Sequence, residues 1–460
     1  MLEHFDCAAI LRRALSGGGE FADIYFEEGS STAIVCEDSK IERVLAGADR
    51  GVGIRVISDL RTAYAFSNEI SESSLLALAE TVSRAVKGKK FDRVIDLTRK
   101  IVGTGFPILL PPEDIPLKQK IATVSAADLA ARGLDGKIRQ VTAMYRDGTA
   151  KAQIVNSCGE FIETARTGTV FTVQAIAAEG SLVQTGYEAI GGVRGFEIFQ
   201  TMGPEELALA AARRSLMMLG ARKAPGGTMA VVLSSEAGGT MVHEAIGHGL
   251  EADLAQAGMS VYAGKAGTRV ASPLVTVIDD ATIANARGSF SFDDEGTPAQ
   301  RTVLVENGIL KGYMYDRLSA MKDGCLSTGN GRRESYQTKP IARMTNTLIA
   351  PGTTPPGEII QGVREGLFVK KMGGGQVNTV NGDFVFEVSE GYLIANGEIA
   401  EPVRGATLTG NGPDVLNKIT KVGTDLGFGI GTCGKEGQGV PVSDAQPTLL
   451  ISEITVGGTA

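Results

Sequence analysis

Met229-Ala230-Val231-Val232-Leu233-Ser234-Ser235-Glu236-Ala237-Gly238-Gly239-Thr240-Met241-Val242-His243-Glu244-Ala245-Ile246-Gly247-His248 is the stretch from which the rest of the chain is best read. Its first five residues form an apolar, β-branched run that predicts a buried strand. Ser234 and Ser235 then offer a helix N-cap, with Glu236 near the positive end of the helix dipole. Apolar residues at Met241, Val242, Ala245, Ile246 and Leu250 predict a half-buried helix from Ala237 to Leu254. Glycines at 238, 239 and 247 weaken that helix by about 1 kcal/mol each relative to alanine, a cost easier to understand at a site than in a plain structural helix.

The helix holds two of only three histidines in 460 residues, with a glutamate beside the first. Imidazole is the commonest metal ligand, and a carboxylate beside a metal-held water is what hydrolysis needs as a general base. The spacing is i, i+5 rather than the i, i+4 of the familiar zinc helix. At about 100° per residue the two rings diverge by roughly 140° on a regular helix, too far to share one ion. The expectation is therefore a helix locally overwound or bulged between His243 and His248; a single π-bulge realigns the rings, and Gly247 supplies backbone freedom for it. Zinc also needs a third protein ligand, and the residues leave several candidates open: Glu251, Asp253, the acidic turn Asp293-Asp294-Glu295, His4 or a cysteine.

Outward from this stretch, Ala224-Pro225-Gly226-Gly227 marks a boundary between an N-terminal region, 1–223, and a C-terminal domain, 224–460. The first region reads as α+β in two units, about 1–97 and 117–220, joined by a connector over 98–116. The first unit is predicted to run helix 2–15, strands near 21–28, 31–37, 41–46, 51–58 and 61–67, then a helix from 72 to 86. The second runs helix 118–132, strands 138–147, 150–156, 160–165 and 168–178, then a helix opened by Pro204 and reaching Leu219. Beyond 224 short strands are expected at 229–233, 274–278, 301–306, 309–314, 384–388 and 391–395, a mainly β domain carrying one inserted helix. The 60 glycines, about 13 % of the chain against an average near 7 %, are read as turns between strands.

Composition narrows the function. A net charge of −8 argues against a nucleic-acid surface, and the one basic cluster, Arg332-Arg333, reads as a solvated or ion-paired loop. No run approaches 18 apolar residues, so no membrane span is expected, and residues 1–15 read as an amphipathic helix rather than a signal peptide. Five dispersed cysteines suggest reduced thiols and a cytoplasmic location. Gly429-Ile430-Gly431-Thr432-Cys433-Gly434 fits a dinucleotide fingerprint only formally, because no apolar helix follows it. Gly373-Gly374-Gly375 lacks the lysine of a P-loop and reads as a flexible turn. No G-x-S-x-G elbow occurs. Arg332, Arg333 and Arg404 are read as peptide-orienting groups or structural salt bridges, without a choice between them.

The run from His243 to Asp253 resembles the zinc motif of the TldD/PmbA metallopeptidases, in the TldD-type subunit. Segments 292–298, 329–335, 343–347, 402–407 and 431–435 are similar to TldD segments in the same order. The resemblance implies an N-terminal α/β region, a barrel-like C-terminal domain and a cytoplasmic two-subunit particle enclosing the active site. The partner would be a paralogous PmbA/TldE-type subunit or a second copy. It implies Cys433 as the third zinc ligand beside His243 and His248, and Gly431 and Gly434 are expected to let its loop approach the helix closely. Zinc chemistry then assigns Glu244 the general base for hydrolysis of unfolded peptides, bound extended at a sheet edge. Two rivals are a non-catalytic regulatory or scaffold subunit and an exopeptidase like dipeptidyl peptidase III, which releases only dipeptides.

Overall fold

A computed structural model describes residues 1–89, 95–103 and 105–458. Its N-terminal elements are α1 (Cys7–Ala14), β1 (Phe21–Glu37), β2 (Lys40–Ser58), β3 (Arg61–Ser67), α2 (Glu72–Ala85), β4 (Arg99–Val102), α3 (Leu117–Arg132), β5 (Ile138–Asn156), β6 (Glu160–Glu179), β7 (Leu182–Gly192) and α4 (Pro204–Gly220). All seven strands share one sheet in the order β3-β2-β1-β5-β6, with β4 and β7 pairing to different stretches of β6. The expected short strands fuse. Residues 21–28 and 31–37 are one strand because β2 and β5 pair with it on both sides straight through Gly29-Ser30-Ser31. Ladder hydrogen bonds from two neighbours outweigh the low strand propensity of three small residues. β5 and β6 fuse in the same way, and β7 joins the sheet where no strand was expected. Several glycines thus lie inside long strands rather than in turns.

Strand alternation gives the sheet two unlike faces. Ala22, Ile24 and Phe26 pack with α1 and α2 through Ile10, Leu11, Leu75 and Val82. Val141, Ala143, Tyr145, Phe171 and Val173 pack with α3 and α4 through Val124, Ala127, Leu207 and Ala211. The opposite face turns toward the C-terminal residues. There Arg55 pairs with Asp23 of its own sheet and with Glu295 at 2.5 Å, Arg166 pairs with Asp294 at 3.0 Å, and the Arg333 guanidinium lies 4.0 Å from the Tyr25 ring centre. The Arg332-Arg333 cluster is therefore not a solvated loop. Both side chains are buried and donate mainly to main-chain carbonyls, those of Met344 and Pro441 for Arg332 and those of Asp294 and Thr338 for Arg333. Burial, with the charge of Arg166 added to it, brings Arg332 down to about 9.

The C-terminal residues build two β units. Strands Glu365–Val377, Gly227–Leu233, Leu449–Gly457, Thr407–Asn411 and Asp383–Ala395 pair in that order, and the last pairs back to the first, closing a five-stranded barrel. The predicted strands 384–388 and 391–395 are one strand of this barrel. Gly373-Gly374-Gly375 is strand with register shifts, not a free turn; a Cβ on Gly375 would lie 2.0 Å from the Phe386 ring, so that ring occupies the space a side chain would take. A six-stranded sheet stands beside the barrel, ordered Ile309–Leu310, Arg301–Glu306, Val277–Asp280, Asn346–Ile349, Gln438–Gln446 and Gly427–Lys435. One apolar core joins Val231, Leu233, Leu367, Phe386 and Ile451 of the barrel to Val277, Ile349, Val440 and Val442 of the sheet, and to Met241, Val242, Ala245 and Ile246 between them. Among the described residues no helix is long and apolar enough to cross a membrane.

Candidate metal centre

The strand Gly227–Leu233 ends at Ser234, whose side chain accepts from the Glu236 amide and caps a 3₁₀ turn. Gly238 then takes φ +70°, a conformation that favours glycine. A Cβ on Gly239 would sit 2.3 Å from the amide nitrogen of Ala445, so this glycine lets the turn lie against strand Gln438–Gln446. Thr240–Val242 is α-helical, His243–Gly247 is a π turn, and His248–Leu250 is 3₁₀. The His248 amide donates to the His243 carbonyl, the i to i+5 bond of a π-helix. The expected distortion is thus a widened turn and not an overwound one, and it replaces a single helix over 237–254 by short unlike turns. Gly247 serves a different purpose from the one expected. Its φ of −55° and ψ of −58° suit any residue, but a Cβ there would lie 2.3 Å from Met344 Sδ.

The π turn brings both imidazoles to one side, ring centres 5.0 Å apart and planes at 88°. Cys433, on strand Gly427–Lys435, meets them: its Sγ lies 3.6 Å from His248 Nε2, and one ligating atom from each of the three residues falls within 4.8 Å of the others. Bonds of about 2.3 Å to sulfur and 2.05 Å to nitrogen at a tetrahedral angle separate those two donors by about 3.6 Å, so the set fits zinc. Cys433 is buried, which opposes charge on the thiol, yet hydrogen bonding by His243 and His248 pulls it down to about 5, toward the thiolate that a metal requires. It sits in a strand rather than a loop, and its flanking glycines are not what permits the approach. A Cβ on Gly434 would meet nothing within 4 Å, and one on Gly431 only Val442 Cγ2 at 3.5 Å.

Glu244 is half-buried, and among the described residues its carboxylate has neither hydrogen bond nor ion pair. Burial raises its proton affinity, against a lowering by the two histidines.

Behind the cluster of His243, His248 and Cys433 stands a second layer of charged side chains. Glu251, fully buried, accepts from His248 Nδ1 at 3.1 Å, so it stands behind His248 rather than in the cluster with His243 and Cys433. Burial works against its charge, but Lys435 at 3.2 Å and His248 hold its carboxyl down to about 2. Lys435 also donates to Asp253 at 2.6 Å and to the Ala342 carbonyl at 2.8 Å. Arg343, also fully buried, donates to the carbonyl of Cys433 itself and to that of Gln438 at 3.2 Å. Asp444 Oδ2 lies 3.8 Å from His243 Nδ1, and Asp444 Oδ1 accepts from the Gly239 amide at 3.1 Å. The sequence signal for Glu251 was its place three residues after His248; Arg343 and Lys435 lay in the TldD-like segments 343–347 and 431–435 without a role assigned, and Asp444 carried none. The remaining candidates lie apart. Asp293, Asp294 and Glu295 form the contact with the N-terminal sheet, where Asp293 accepts from the Glu295, Thr297 and Gly331 amides, and His4 is in the first turn of the chain.

Three family models described as PmbA/TldA metallopeptidase domains match in order, domain 1 over 22–88, the central domain over 110–219 and the C-terminal domain over 226–458. The metalloprotease TldD homolog of Haemophilus influenzae is 38 % identical over 449 residues, covering 96 % of this chain and 93 % of that one. The fold is similar to the crystal structure of a putative modulator of a DNA gyrase from Thermotoga maritima, with a TM-score of 0.78, 23 % identity and coverage of 95 % and 96 % of the two chains. It is also similar to TldE from Thermococcus kodakarensis, with a TM-score of 0.76, 17 % identity and coverage of 98 % and 99 %. Matched domain by domain and 38 % identical to a relative along nearly its whole length, the chain belongs to the PmbA/TldD family of metallopeptidases.

Proposed function

We propose that this chain is a zinc-dependent peptidase that hydrolyses unfolded peptides or small proteins, with His243, His248 and Cys433 as ligands and Glu244 as general base. The observation that carries the reading is the π turn, which sets two imidazoles and a cysteine around one point beside an unpaired carboxylate. Mixed imidazole and thiolate donors favour zinc among common divalent ions. The metal, when bound, supplies a Lewis acid that makes an attacking water more acidic and polarises the scissile carbonyl. Glu244, with its proton affinity raised by burial, takes the proton of that water and delivers it to the leaving amine. Glu251 holds the His248 proton on Nδ1 and so keeps Nε2 free as a donor atom.

Strand Gly427–Lys435 is at the edge of its sheet, so an extended peptide can add beside the cysteine, which favours unfolded chains as substrates. The partner in this reading is a paralogous PmbA/TldE-type subunit or a second copy, and the fold shared with TldE supports such a pairing. Five free thiols suit the reducing cytoplasm. The test is metal analysis of wild-type protein and of Cys433→Ala, paired with cleavage of an unfolded peptide mixture. About one zinc per chain, lost in the variant together with cleavage, is the expected result. Full activity in Cys433→Ala refutes the ligand set, a bound metal without cleavage favours a regulatory subunit, and release of dipeptides alone favours the exopeptidase rival.

A further inference from the structure

A cavity of about 810 Å³ opens between the helix-free face of the N-terminal sheet and the C-terminal residues. One row across its floor is almost without side chains. Ser31 of β1 pairs with Gly47 of β2 and Gly148 of β5, and Gly148 pairs with Gly168 of β6, a cross-strand row in which three of four residues lack a Cβ. A Cβ on Gly47 would meet nothing within 4 Å, so neighbouring side chains do not fill this space.

Two arginines border the floor. Arg146 stands two residues before Gly148 on β5, on the same face, and is exposed. Arg287 comes from the opposite wall, where its Nη1 donates to the Gly431 carbonyl and, at 3.3 Å, to Thr432 Oγ1. Buried Arg55 and Arg214 have carboxylate partners, Asp23 and Glu295 for the first and Glu188 and Glu390 for the second, whereas buried Arg332 and Arg333 are held mainly by main-chain carbonyls. Among the described residues no carboxylate lies within 4 Å of the guanidinium of Arg146 or Arg287. Asp147, adjacent in sequence, points through the sheet to Lys120 and Tyr145. Burial, partly offset by Tyr187 and reinforced by Arg146, holds the Arg287 guanidinium below its usual range. Carboxylates do line the cavity, among them Glu27, Asp49 and Glu334, but none pairs directly with these two guanidinium groups, so an anion entering between them gains charge-assisted hydrogen bonds from both.

We propose that Arg146 and Arg287 form a subsite for a carboxylate of the peptide substrate. The inference rests on the peptidase reading above for the nature of the ligand. Arg287 grips Gly431, two residues before Cys433, so the cationic end of the cleft abuts the strand that carries the thiol. The carboxylate comes from the C-terminus of the peptide or from an acidic side chain within it.

The test uses the full-length Glu244→Gln protein, which leaves His243, His248 and Cys433 in place and slows turnover enough to read binding. It is titrated with one unfolded ten-residue peptide in four forms: otherwise uncharged with a C-terminal amide, the same with a free C-terminal acid, and the amide with an internal Glu or with Gln at that position. Carboxylate-bearing forms are expected to bind about ten-fold tighter at low salt, the scale of one hydrogen bond to a charged group. That advantage is lost when Arg146→Gln is added and largely kept with Arg146→Lys. An acid-over-amide advantage assigns the C-terminus, and a Glu-over-Gln advantage assigns the side chain. Equal binding of all four forms, an advantage that survives Arg146→Gln, or no binding of any form overturns the subsite. Cleavage of the neutral amide by wild-type protein reports on the peptidase reading separately, so cleavage without carboxylate preference sinks only this inference.

Discussion

Gly247→Ala separates two reasons for a glycine between the histidines. The backbone at Gly247, φ −55° and ψ −58°, is open to alanine, and on helix propensity alone the change should stabilise by about 1 kcal/mol. Space argues the other way. The new Cβ would stand 2.3 Å from Met344 Sδ and 3.3 Å from its Cε, well inside contact distance, and Met344 is fully buried. Overpacking of this kind costs about 1–3 kcal/mol, so the net expectation for Gly247→Ala is a loss of about 0–2 kcal/mol. Because Gly247 directly precedes His248, any movement that relieves the clash also disturbs the π turn and weakens zinc binding. In a Met344→Ala background the clash is gone, and Gly247→Ala should become stabilising by up to about 1 kcal/mol. The coupling between the two sites is then about 1–3 kcal/mol. A double-mutant cycle on urea unfolding of the metal-free protein, with zinc affinity measured beside it, reads both effects. An equal loss from Gly247→Ala in both backgrounds would show that the backbone, and not Met344, demands glycine, and would refute the argument.

Glu244→Gln is expected to keep its zinc and lose about 10²–10⁴-fold in kcat on an unfolded peptide, the usual share of a general base; a fully active variant would remove Glu244 from the chemistry. Glu251→Gln keeps the shape but leaves Lys435 and His248 facing a neutral amide. A chelator competition should show zinc affinity down about 10–100-fold, and unchanged affinity would mean that Glu251 does not orient His248. Glu27 gives a pH signature. Burial, and then the nearby Asp294 charge, raise it to about 7 from an ordinary 4.5, so the folded chain holds a proton that the unfolded chain releases. Its contribution to stability is intact below about pH 4.5 and declines as pH rises toward 7, by at most about 3 kcal/mol. Glu27→Gln should flatten that decline in unfolding measured from pH 4.5 to 7.5; a parallel slope in the variant would place the titration elsewhere.

Much of the N-terminal architecture was legible because helix periodicity and caps are local. α2 starts at Glu72 and Pro204 opens α4 where the pattern places them. Strand ends were less legible. Gly29-Ser30-Ser31 and Gly373-Gly374-Gly375 look like breaks because propensity counts a residue alone, whereas pairing on both sides carries the strand through. The strands after 396 were missed altogether; Gly427–Lys435 contains four glycines, and its strand character comes from its hairpin with Gln438–Gln446. The buried Arg332-Arg333 pair misled in the same way, since two adjacent arginines read as surface until tertiary packing surrounds them with carbonyls.

The sequence by itself determined two imidazoles and a carboxylate on one short stretch and the need for a distorted helix, because a spacing of five on a turn of about 3.6 residues leaves two rings diverging on a regular helix. Resemblance pointed to Cys433, but no spacing encodes the contact of a cysteine with a histidine 185 residues earlier. That meeting is decided by the parallel pairing of Gln438–Gln446 with Asn346–Ile349, by the hairpin that hangs Cys433 on the next strand, and by Gly239, which admits the motif turn against it. The charges behind the two histidines and the cysteine, Glu251, Lys435 and Arg343, are likewise products of the tertiary fold. A fully buried ion is tolerated only where its partners converge in space, and a linear pattern does not record where that happens.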